Sequence, residues 1–475
     1  MRRRGMVLVA VLIVTALLTM IAAGIIFRMR AEVAASAGQR HGEQAYESAI
    51  SGLHYAMAVL RDSANDMETW YDNPDIFQNQ VVADDGANAW YFTIYADDPT
   101  SQETVRYGVT DEAGKLNANT AQEEAWLAFE NLTSEQVDCL LDYLDADSEP
   151  RSEGAEQDYY DRVSTPYIIP NGPLATVEEL FLVKGFTAAQ VYGEDANFNG
   201  ILDPNEDDGD DRFPPDNRDG RLDPGLRGLV TVFTSDRNVD SQDRPRIDIN
   251  RGELPGDLGL PERTRQFIAT YRAEGNTFKH PSELLEMRYQ PRQQGGDSRD
   301  RRPGSRRNGQ PGNSGDGEAG SWIESGVGAD ELPVVMDRLT AGSQSNRRQA
   351  AGLVNINTAR AEVLATVPGL DANLAQEIVD VRGSLDAETK ATVAWLYTQN
   401  LLDADEFKMV APHVTARGFQ FSVRCVGFGV PCGRYRVLEA VLDLAGQTPR
   451  IAYLRDITRL GMPFALDPGL VERTR

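Results

Sequence analysis

The sequence has few of the side chains that most catalytic and metal centres use. Its 475 residues include only four histidines and three cysteines, Cys139, Cys425 and Cys432. Three cysteines are too few for a disulfide framework, and their spacing is not that of a zinc ribbon. The histidines are isolated, so there is no H-E-x-x-H helix, and no phosphate-binding loop is present. We therefore expect a protein that is not an enzyme.

Basic side chains are also scarce. The chain has 47 lysines and arginines against 73 aspartates and glutamates, which gives a formal charge of -26. Long-range repulsion opposes the approach of such a chain to phosphate backbones, so nucleic acid is not the expected partner. The length suggests two or three domains.

The amino terminus, in contrast, combines basic residues with a long apolar stretch. Arg2, Arg3 and Arg4 precede an apolar stretch over residues 6–27. As a helix this stretch spans roughly 33 Å, about the thickness of one bilayer core. The three arginines predict a cytoplasmic amino terminus, with the remainder of the chain on the other side of the membrane. Arg28 and Arg30, beyond the span, act against this orientation.

A glycine stands directly before the apolar stretch, at Gly5-Met6. The basic leader over residues 1–5, this glycine and the following helix resemble the type III signal of pilins and pseudopilins. The resemblance implies cleavage by prepilin peptidase between Gly5 and Met6. These families usually carry Glu at mature position five, where this chain has Ala10, and that departure resembles the K-type minor pseudopilins of type II secretion systems. For the leader alone, a plain signal anchor with a chance glycine remains the alternative.

The segment after the anchor predicts a helix packed on a sheet. An apolar stripe recurs at helical spacing and consists of Tyr46, Ile50, Leu53, Met57 and Leu60. Alternating segments predict strands at Ala89–Tyr95, Thr104–Val109, Phe419–Gly427, Tyr435–Leu444 and Arg450–Asp456. Strands from both ends of the chain predict an α+β fold: a pilin-like roll, with a long N-terminal helix on an antiparallel sheet, interrupted by a large inserted helical domain.

The middle of the chain contains a degenerate repeat. Three related starts occur at residues 115–121, 246–250 and 353–359. Their Asn, Asp and Thr side chains suit helix capping, because a side-chain oxygen can accept from free backbone N–H groups. The third unit resembles a helix-hairpin-helix module, with residues 367–370 as its hairpin. Such hairpins bind DNA in some proteins, but Asp371, Glu377 and Asp380 surround this one, which favours packing.

These features divide the chain into six predicted segments. A helical domain spliced into a pilin roll also resembles the K-type pseudopilins, as do residues 142–147, 154–156, 159–160 and 171–174. The segments are a cleaved leader (1–5), a transmembrane helix (6–27), a pilin-like helix with the first strands (28–114), the inserted domain (115–416), the completing strands (417–460) and a tail (461–475).

One segment of the insertion fits a calcium loop. Residues 195–206 match the pattern D-x-N-x-N-G-x5-E, in which Gly200 permits a sharp turn. The expected ligands are Asp195, Asn197, Asn199, Ile201 through its carbonyl, Asp203 and Glu206. Calcium would be structural here, since it would neutralise the run of acids over 207–211. A solvated acidic loop is the alternative. A weaker echo at Asn217–Asp223 has Pro215 where the first ligand belongs, so we do not predict an independent site there.

Two further segments carry weaker signals. Residues 290–350 are predicted to be a disordered loop, because residues 290–320 are rich in Arg, Gly, Pro, Ser and Asn without apolar periodicity. Cys425 and Cys432 flank a hairpin-like turn between predicted strands. In an oxidising compartment they could be joined by a disulfide or remain free thiols, and the spacing leaves both open.

The family resemblance implies a function. A K-type minor pseudopilin lies at the tip of the type II secretion pseudopilus, initiates assembly with other minor pseudopilins and supports protein export. The implied partners are those pseudopilins, prepilin peptidase, the inner membrane and secreted substrate proteins, with the C-terminal domains in the periplasm. The alternative is a minor pilin or DNA-uptake protein of a type IV pilus-like system, whose hairpins contact DNA.

Overall fold

The computed structural model of the protein describes residues 3–99, 101–291, 321–342, 349–350, 352–446, 448–466 and 469–470. The α-helices are α1 (Arg3–Ser63), α2 (Met67–Trp70), α3 (Pro74–Phe77), α4 (Glu123–Leu127), α5 (Ser134–Leu144), α6 (Gln157–Tyr160), α7 (Ala188–Tyr192), α8 (Gly225–Leu229), α9 (Glu262–Ala273), α10 (Leu332–Arg338), α11 (Ala361–Leu364), α12 (Ala372–Arg382), α13 (Ala387–Lys390), α14 (Trp395–Thr398) and α15 (Ala404–Val410). The strands are β1 (Gln80–Asp84), β2 (Ala89–Asp97), β3 (Val105–Arg106), β4 (Thr110–Asp111), β5 (Leu116–Asn117), β6 (Val230–Thr231), β7 (Asp236–Arg237), β8 (Ile247–Asp248), β9 (Arg288–Tyr289), β10 (Ile323–Glu324), β11 (Leu339–Thr340), β12 (Gln349–Ala350), β13 (Val354–Asn355), β14 (Val414–Thr415), β15 (Gln420–Val430), β16 (Tyr435–Asp443) and β17 (Arg450–Asp456). Short 3-10 helices occupy Glu112–Gly114, Val177–Leu182, Pro281–Leu284, Ala411–His413 and Thr458–Leu460.

The main sheet takes strands from both ends of the chain. Its order is β1-β2-β15-β16-β17, all neighbours antiparallel, with β3 beside β2 and β4 beside β15. β2 and β15 pair from Tyr95 opposite Arg424 to Ala89 opposite Val430. The whole insertion separates these two strands in sequence. The chain leaves the sheet after β4, passes through the insertion and completes the sheet when it returns at β15. The predicted fold class, a pilin-like roll with an inserted helical domain, is confirmed.

The 61-residue helix α1 packs its carboxyl-terminal part on this sheet. Its fully buried residues are Ala45, Ala49, Leu53, Ala56 and Leu60. Leu53 and Leu60 belong to the predicted stripe, whereas the predicted Tyr46, Ile50 and Met57 lie at the margin of the contact. The helix face that contacts the sheet therefore consists largely of alanines, and their small side chains let the helix approach the sheet closely.

A glycine on the sheet side makes that approach possible. A Cβ atom on Gly427 would overlap the carbonyl oxygen of Ala45 and the backbone nitrogen of Ala49. On the helix side, a Cβ atom on Gly52 would overlap the sulfur of Cys425 and lie 2.9 Å from the Phe92 ring. Backbone atoms of α1 and β15 thus meet with no side chain between them.

The insertion is built from three units that close in the same way. Each unit begins and ends with a two-residue strand, and the two strands pair in parallel: β5 with β6, β8 with β11, and β13 with β14. The second residue of each closing strand is a threonine whose carbonyl oxygen accepts a further N–H from the opening segment. These bonds join Ala118 to Thr231 (2.8 Å), Ile249 to Thr340 (2.9 Å) and Ile356 to Thr415 (3.0 Å). The repeat inferred from the three starts is thus present in the backbone.

The polar side chains of these starts do not cap helices, so that prediction is wrong. Asn117, Asp248 and Asn355 each accept from the N–H two residues later, at 2.9, 2.9 and 3.0 Å, which forms a turn directly after the opening strand. The residue two positions later is an asparagine in each unit, and its side chain binds distant backbone. In the second unit, the Asn250 side chain donates to the carbonyl oxygen of Phe278 and accepts from its N–H, both at 2.8 Å. The first helix of each unit begins further along, and its N-cap residue forms no side-chain capping hydrogen bond.

Part of the predicted disordered loop is ordered. Within residues 290–350, the described residues 321–342 contain β10, α10 and β11. Leu332 and Val335 of α10 are fully buried in the core of the insertion, and burial of these apolar side chains offsets the entropy of ordering the segment. The prediction is therefore wrong for residues 321–342, whereas its Arg- and Gly-rich part, 292–320, lies outside the described residues.

Cys425 and Cys432 are free thiols in the structure and form no disulfide. The hairpin expected from their spacing is present, but Cys425 lies inside β15, opposite Leu438 of β16, whereas Cys432 lies in the turn beyond the strand end. The sulfur of Cys432 contacts the carbonyl oxygen of Gly429 at 3.5 Å. Gly429 lies four residue steps along extended strand from Cys425, or about 13 Å, while a disulfide needs Cα atoms about 6 Å apart.

We predict that Gly427→Ala destabilises the roll by about 2 kcal/mol, because even a methyl group forces α1 away from β15. Thermal unfolding of the full chain in mild detergent measures this. Gly446→Ala is the matched control, since Gly446 is exposed and a Cβ there would lie 3.4 Å from its nearest neighbour. Equal melting temperatures for the two variants would contradict the close helix–sheet contact.

Candidate functional site

The predicted processing residues lie at the start of α1. This helix begins at Arg3, so Gly5 and Met6 are within it. From Val7 to Val33 its large apolar side chains are more than half exposed. Within the described part of the chain, α1 from Val7 onward is a helix with the length and composition to cross a membrane. The exposed apolar surface is consistent with a single-pass anchor, and cleavage between Gly5 and Met6 stays a prediction.

The predicted calcium loop closes through its own ligand side chains. The carboxylate oxygens of Asp195 accept from the N–H groups of Asn199 (3.1 Å) and Gly200 (3.0 Å). Asn197 Oδ1 accepts from the N–H of Asn199 at 3.0 Å, and Asn199 Oδ1 accepts from that of Ile201 at 2.8 Å. Gly200 has a φ of +73°, so the sharp turn assigned to it is present.

The last ligand position returns to the start of the loop. The carboxylate of Glu206 accepts from the N–H groups of Ala196 and Asp203, each at 3.0 Å. Asp203 Oδ2 in turn accepts from the side-chain amides of Asn197 (2.7 Å) and Asn199 (3.1 Å). The structure therefore brings together five of the six predicted ligands through their side chains.

The loop contains buried carboxylates, and their charge bears on whether a cation fits. Asp195 and Glu206 are 7% and 1% exposed. Burial, together with the charge of Asp97, raises the pKa of Asp195 to about 6, and burial raises the pKa of Glu206 to about 7. Oxygen donors of this kind suit calcium, and a bound cation would favour the charged carboxylates. The donor set thus fits the predicted ion.

The loop docks on the sheet through Arg424 of β15. Its guanidinium donates to Asp97 of β2 at 2.6 Å and to the carbonyl oxygen of Phe198 in the loop at 3.0 Å. Glu439 of β16 lies 3.7 Å from Arg424 Nε. Although burial acts to raise the pKa of Asp97, the charge of Arg424 lowers it to about 2. Arg424 therefore joins two strands of the roll to the insertion.

A second arginine strengthens this junction from the insertion side. Arg227 bonds to Glu439, and its guanidinium lies 3.8 Å from the centroid of the Phe198 ring. Glu178 of the insertion also accepts from Arg455 of β17 at 2.7 Å. The sequence offered no local signal for these contacts, since their partners lie on different elements far apart in the chain.

The echo at Asn217–Asp223 repeats the backbone of the predicted loop. Arg218 and Gly220 have φ of +58° and +70°, as Phe198 and Gly200 have +58° and +73°. Glu194 accepts from the N–H groups of Asn217 (3.2 Å) and Asp223 (3.0 Å). Glu194 thus bonds to backbone N–H groups of the echo as Glu206 bonds to those of the first loop, so the echo noted in the sequence is also present in the backbone despite Pro215.

The helix-hairpin-helix turn packs inside the insertion. Gly369 has a φ of +91°, and a Cβ there would lie 3.2 Å from a methyl group of Val410 and 3.4 Å from Met409. Asp371 caps α12 by accepting from the N–H of Leu374 at 2.9 Å. Ile378 of α12 is fully buried. These contacts support packing as the role of the hairpin.

A long amino-terminal helix on an antiparallel sheet, with a helical domain inserted before its central strand, defines a pilin-like protein. Residues 116–192 match the family described as type II secretion system protein K, and residues 349–387 match the helix-hairpin-helix motif. The type II secretion system protein K of Pseudomonas aeruginosa is 32% identical over 205 residues. These matches bear out the resemblance seen in the sequence: the chain is similar to the K-type minor pseudopilins of type II secretion systems.

The extent of these matches is partial. The aligned region covers 39% of this chain and 59% of the Pseudomonas protein, so the chain spans less than two thirds of that relative. A crystal structure of the GspK-GspI-GspJ complex from the type 2 secretion system of enterotoxigenic Escherichia coli contains a chain with 12% identity and a TM-score of 0.44. That comparison covers 89% of this chain and 98% of the other.

We predict that Arg424→Met costs about 3 kcal/mol of stability, because it leaves the partly buried Asp97 carboxylate without its cation and leaves the buried Glu439 with Arg227 alone. The matched control is Arg450→Met on the same sheet. The Arg450 side chain is 73% exposed although it pairs with Asp443, so its loss should cost less than about 1 kcal/mol. Chemical denaturation of both variants measures the difference, and similar losses would argue against Arg424 as the junction.

Proposed function

We propose that the protein is the minor pseudopilin at the tip of a type II secretion pseudopilus, where it initiates assembly with other minor pseudopilins and supports protein export. The observation that carries the proposal is the protein K match within a helical domain spliced into a pilin-like roll. In this proposal the protein acts through shape and contact, and secreted substrate proteins meet the exposed surface of the insertion.

The absence of an acidic residue at mature position five supports the tip position. In pilin-like filaments the acid at that position pairs with the terminal amine of a neighbouring subunit, whereas this chain has Ala10. An unpaired carboxylate in lipid is costly. A subunit with no neighbour ahead of it has no amine to pair, so an alanine suits the first subunit of the filament.

The anchor is proposed to lie in the inner membrane, with the amino terminus in the cytoplasm and the roll and insertion in the periplasm. Arg2, Arg3 and Arg4 favour this orientation. Three arginines on the cytoplasmic side thus outnumber the two on the far side, Arg28 and Arg30. Prepilin peptidase would remove residues 1–5 before assembly.

We predict that the mature protein begins at Met6 and copurifies from membranes in mild detergent with other minor pseudopilins. Gly5→Val should retain the leader, because the peptidase must accommodate the residue before the cut. Gly24→Ala is the control, since Gly24 lies in the same helix with no heavy atom within 4 Å of an added Cβ. Amino-terminal sequencing and mass spectrometry of the purified complex provide the measurement.

An amino terminus at Met1, or beyond Phe27, would contradict processing of this type. Recovery without any pseudopilin, combined with salt-sensitive retention on DNA, would instead favour the type IV pilus-like alternative.

Calcium binding at residues 195–206 is a second part of the proposal. The ligands would be Asp195, Asn197, Asn199, the carbonyl of Ile201, Asp203 and Glu206. The ion would be structural, because the loop lies against Arg424 and Asp97 at the junction of insertion and sheet. Extracytoplasmic calcium at millimolar concentration is enough for sites of this class.

We predict that calcium raises the melting temperature of the full chain relative to chelator. At 100 times the dissociation constant a single site adds about 3 kcal/mol of stability. Asp195→Ala should reduce this calcium-dependent shift, whereas Glu377→Ala, at an exposed acid of α12 away from the loop, should leave it unchanged. A shift of the same size in wild type and Asp195→Ala would exclude calcium at this loop.

A further inference from the structure

A cavity of about 170 Å³ lies between the roll and the insertion. Tyr71, Arg106 and Arg424 line it from the roll, and Phe198 and Arg360 line it from the insertion. A wall that combines charged and aromatic side chains can enclose a small molecule and orient its polar group. The charges of this wall decide which class of molecule fits.

The wall carries as many bases as acids, although acids outnumber bases in the chain as a whole. Arg424, Arg227 and Lys115 form ion pairs with acids of the same wall. In the part of the chain that the structure describes, the remaining bases of the wall form no ion pair: Arg106, Arg360 and Arg382.

Acids of the wall that lack an ion pair are engaged by other groups. Asp195 belongs to the predicted calcium loop, where it accepts from backbone N–H groups. Asp111 accepts from the side chains of Asn355 (2.7 Å) and Thr358 (2.8 Å). Neither carboxylate forms an ion pair with the remaining bases.

The guanidinium of Arg360 is available to a ligand. This residue directly precedes α11 but makes no capping bond with its side chain, and among the described residues its guanidinium has no hydrogen-bond or ion-pair partner. Its charge helps to lower the pKa of Asp97, yet that carboxylate is already bonded to Arg424 at 2.6 Å. The side chain is half-buried, so water surrounds it only in part, and a cation in that position favours an anionic partner.

Arg382, at the end of α12, brings a second guanidinium beside Arg360. Its Nη1 donates to the carbonyl oxygens of Ile356 (3.1 Å) and Ala359 (2.5 Å), so the group lies against the backbone that leads directly into Arg360. Both acceptors are neutral. Burial lowers the pKa of Arg382, and the Tyr71 hydroxyl is the group that opposes this shift.

Arg106 adds positive charge from the roll. It is buried, and it donates to the carbonyl oxygens of Asp97 (2.9 Å) and Val109 (2.8 Å). Its guanidinium lies 4.1 Å from the centroid of the Tyr71 ring. Because its donors are bound to the roll, Arg106 contributes a fixed charge to the wall more than free N–H groups.

We propose that this part of the cavity binds a small oxyanion, a molecule with a free carboxylate or phosphate group, through Arg360 and Arg382. The planar guanidinium matches both groups and can bind either with two parallel hydrogen bonds. Partial exclusion of water strengthens such a contact relative to an exposed arginine. A bound anion would contact the third unit of the insertion and lie beside Arg106 of the roll, so it would hold the two together. This site is independent of residues 195–206 and of the role at the filament tip.

Calorimetric titration of the full chain in mild detergent tests the site, with sodium succinate in one arm and inorganic phosphate in the other. The two arms distinguish a carboxylate from a phosphate ligand, and calcium is first removed on a chelating resin so that neither probe binds it. Wild type should bind at least one of the two anions at a single site. Arg360→Met should weaken that binding roughly tenfold or more, because charge-assisted hydrogen bonds are lost.

Arg288→Met is the matched control for the titration. The Arg288 side chain is 70% exposed and pairs with Glu324 on the surface of the insertion, so this variant should bind the anion as wild type does. Binding of neither anion by wild type would overturn the proposal, and so would equal affinities in wild type and Arg360→Met.

Thermal melting at constant ionic strength gives a second readout. The anion that wild type binds should raise its melting temperature and should raise that of Arg360→Met much less. An equal rise in both proteins would overturn the proposal. If Arg360→Met does not fold, Arg360→Gln takes its place in both measurements, and wild-type affinity in that variant would also overturn it.

Discussion

The guanidinium of Arg424 is the group on which the assembly of roll and insertion depends. It leaves β15 on the face opposite α1, since Val423 and Cys425 on either side belong to the core beneath the helix. Its charge is matched by Asp97 and Glu439 from the two flanking strands, and one donor remains for the Phe198 carbonyl of the insertion. A planar group with five fixed donors suits such a junction, and a lysine could not make the same set of contacts.

The position of the insertion explains why the roll tolerates it. Asp111 in β4 pairs with Phe421 in β15, so the chain leaves and rejoins the sheet at neighbouring points. Asp111 is also bound by Asn355 (2.7 Å) and Thr358 (2.8 Å) of the third unit. The exit point and the last unit are thereby held together, and the sheet can form as if the intervening domain were a long connection.

The sequence was informative wherever a short pattern was sufficient. Leu53 and Leu60, the three unit starts and residues 367–370 follow from periodicity or local motifs, and the structure places them as expected in the core, in the repeat and in the hairpin. Whether a polar start residue caps a helix or forms a turn depends on the strand that closes the unit, and that strand lies 60 to more than 110 residues further on. Local patterning cannot reveal such a partner.

Contacts set by three-dimensional packing were not predictable. The close approach at Gly427 needed alanines of α1 that an apolar stripe does not emphasise, and Cys425 was turned towards that helix by strand register. For the loop at residues 195–206 the pattern predicted the fold of the segment, while its contact with Arg424 came from the sheet.

The arrangement of α1 and the insertion on opposite faces of the sheet has a mechanical consequence. A force along the axis of α1 is transmitted to β15 at the contact between Ala45, Ala49 and Gly427. It then passes through the sheet to Arg424 on the opposite face. Neighbouring strands share such a load through many hydrogen bonds at once, so the connection resists shear. The contacts at Gly427 and Arg424 thus join α1 to the insertion through the sheet, in addition to the two chain connections between roll and insertion.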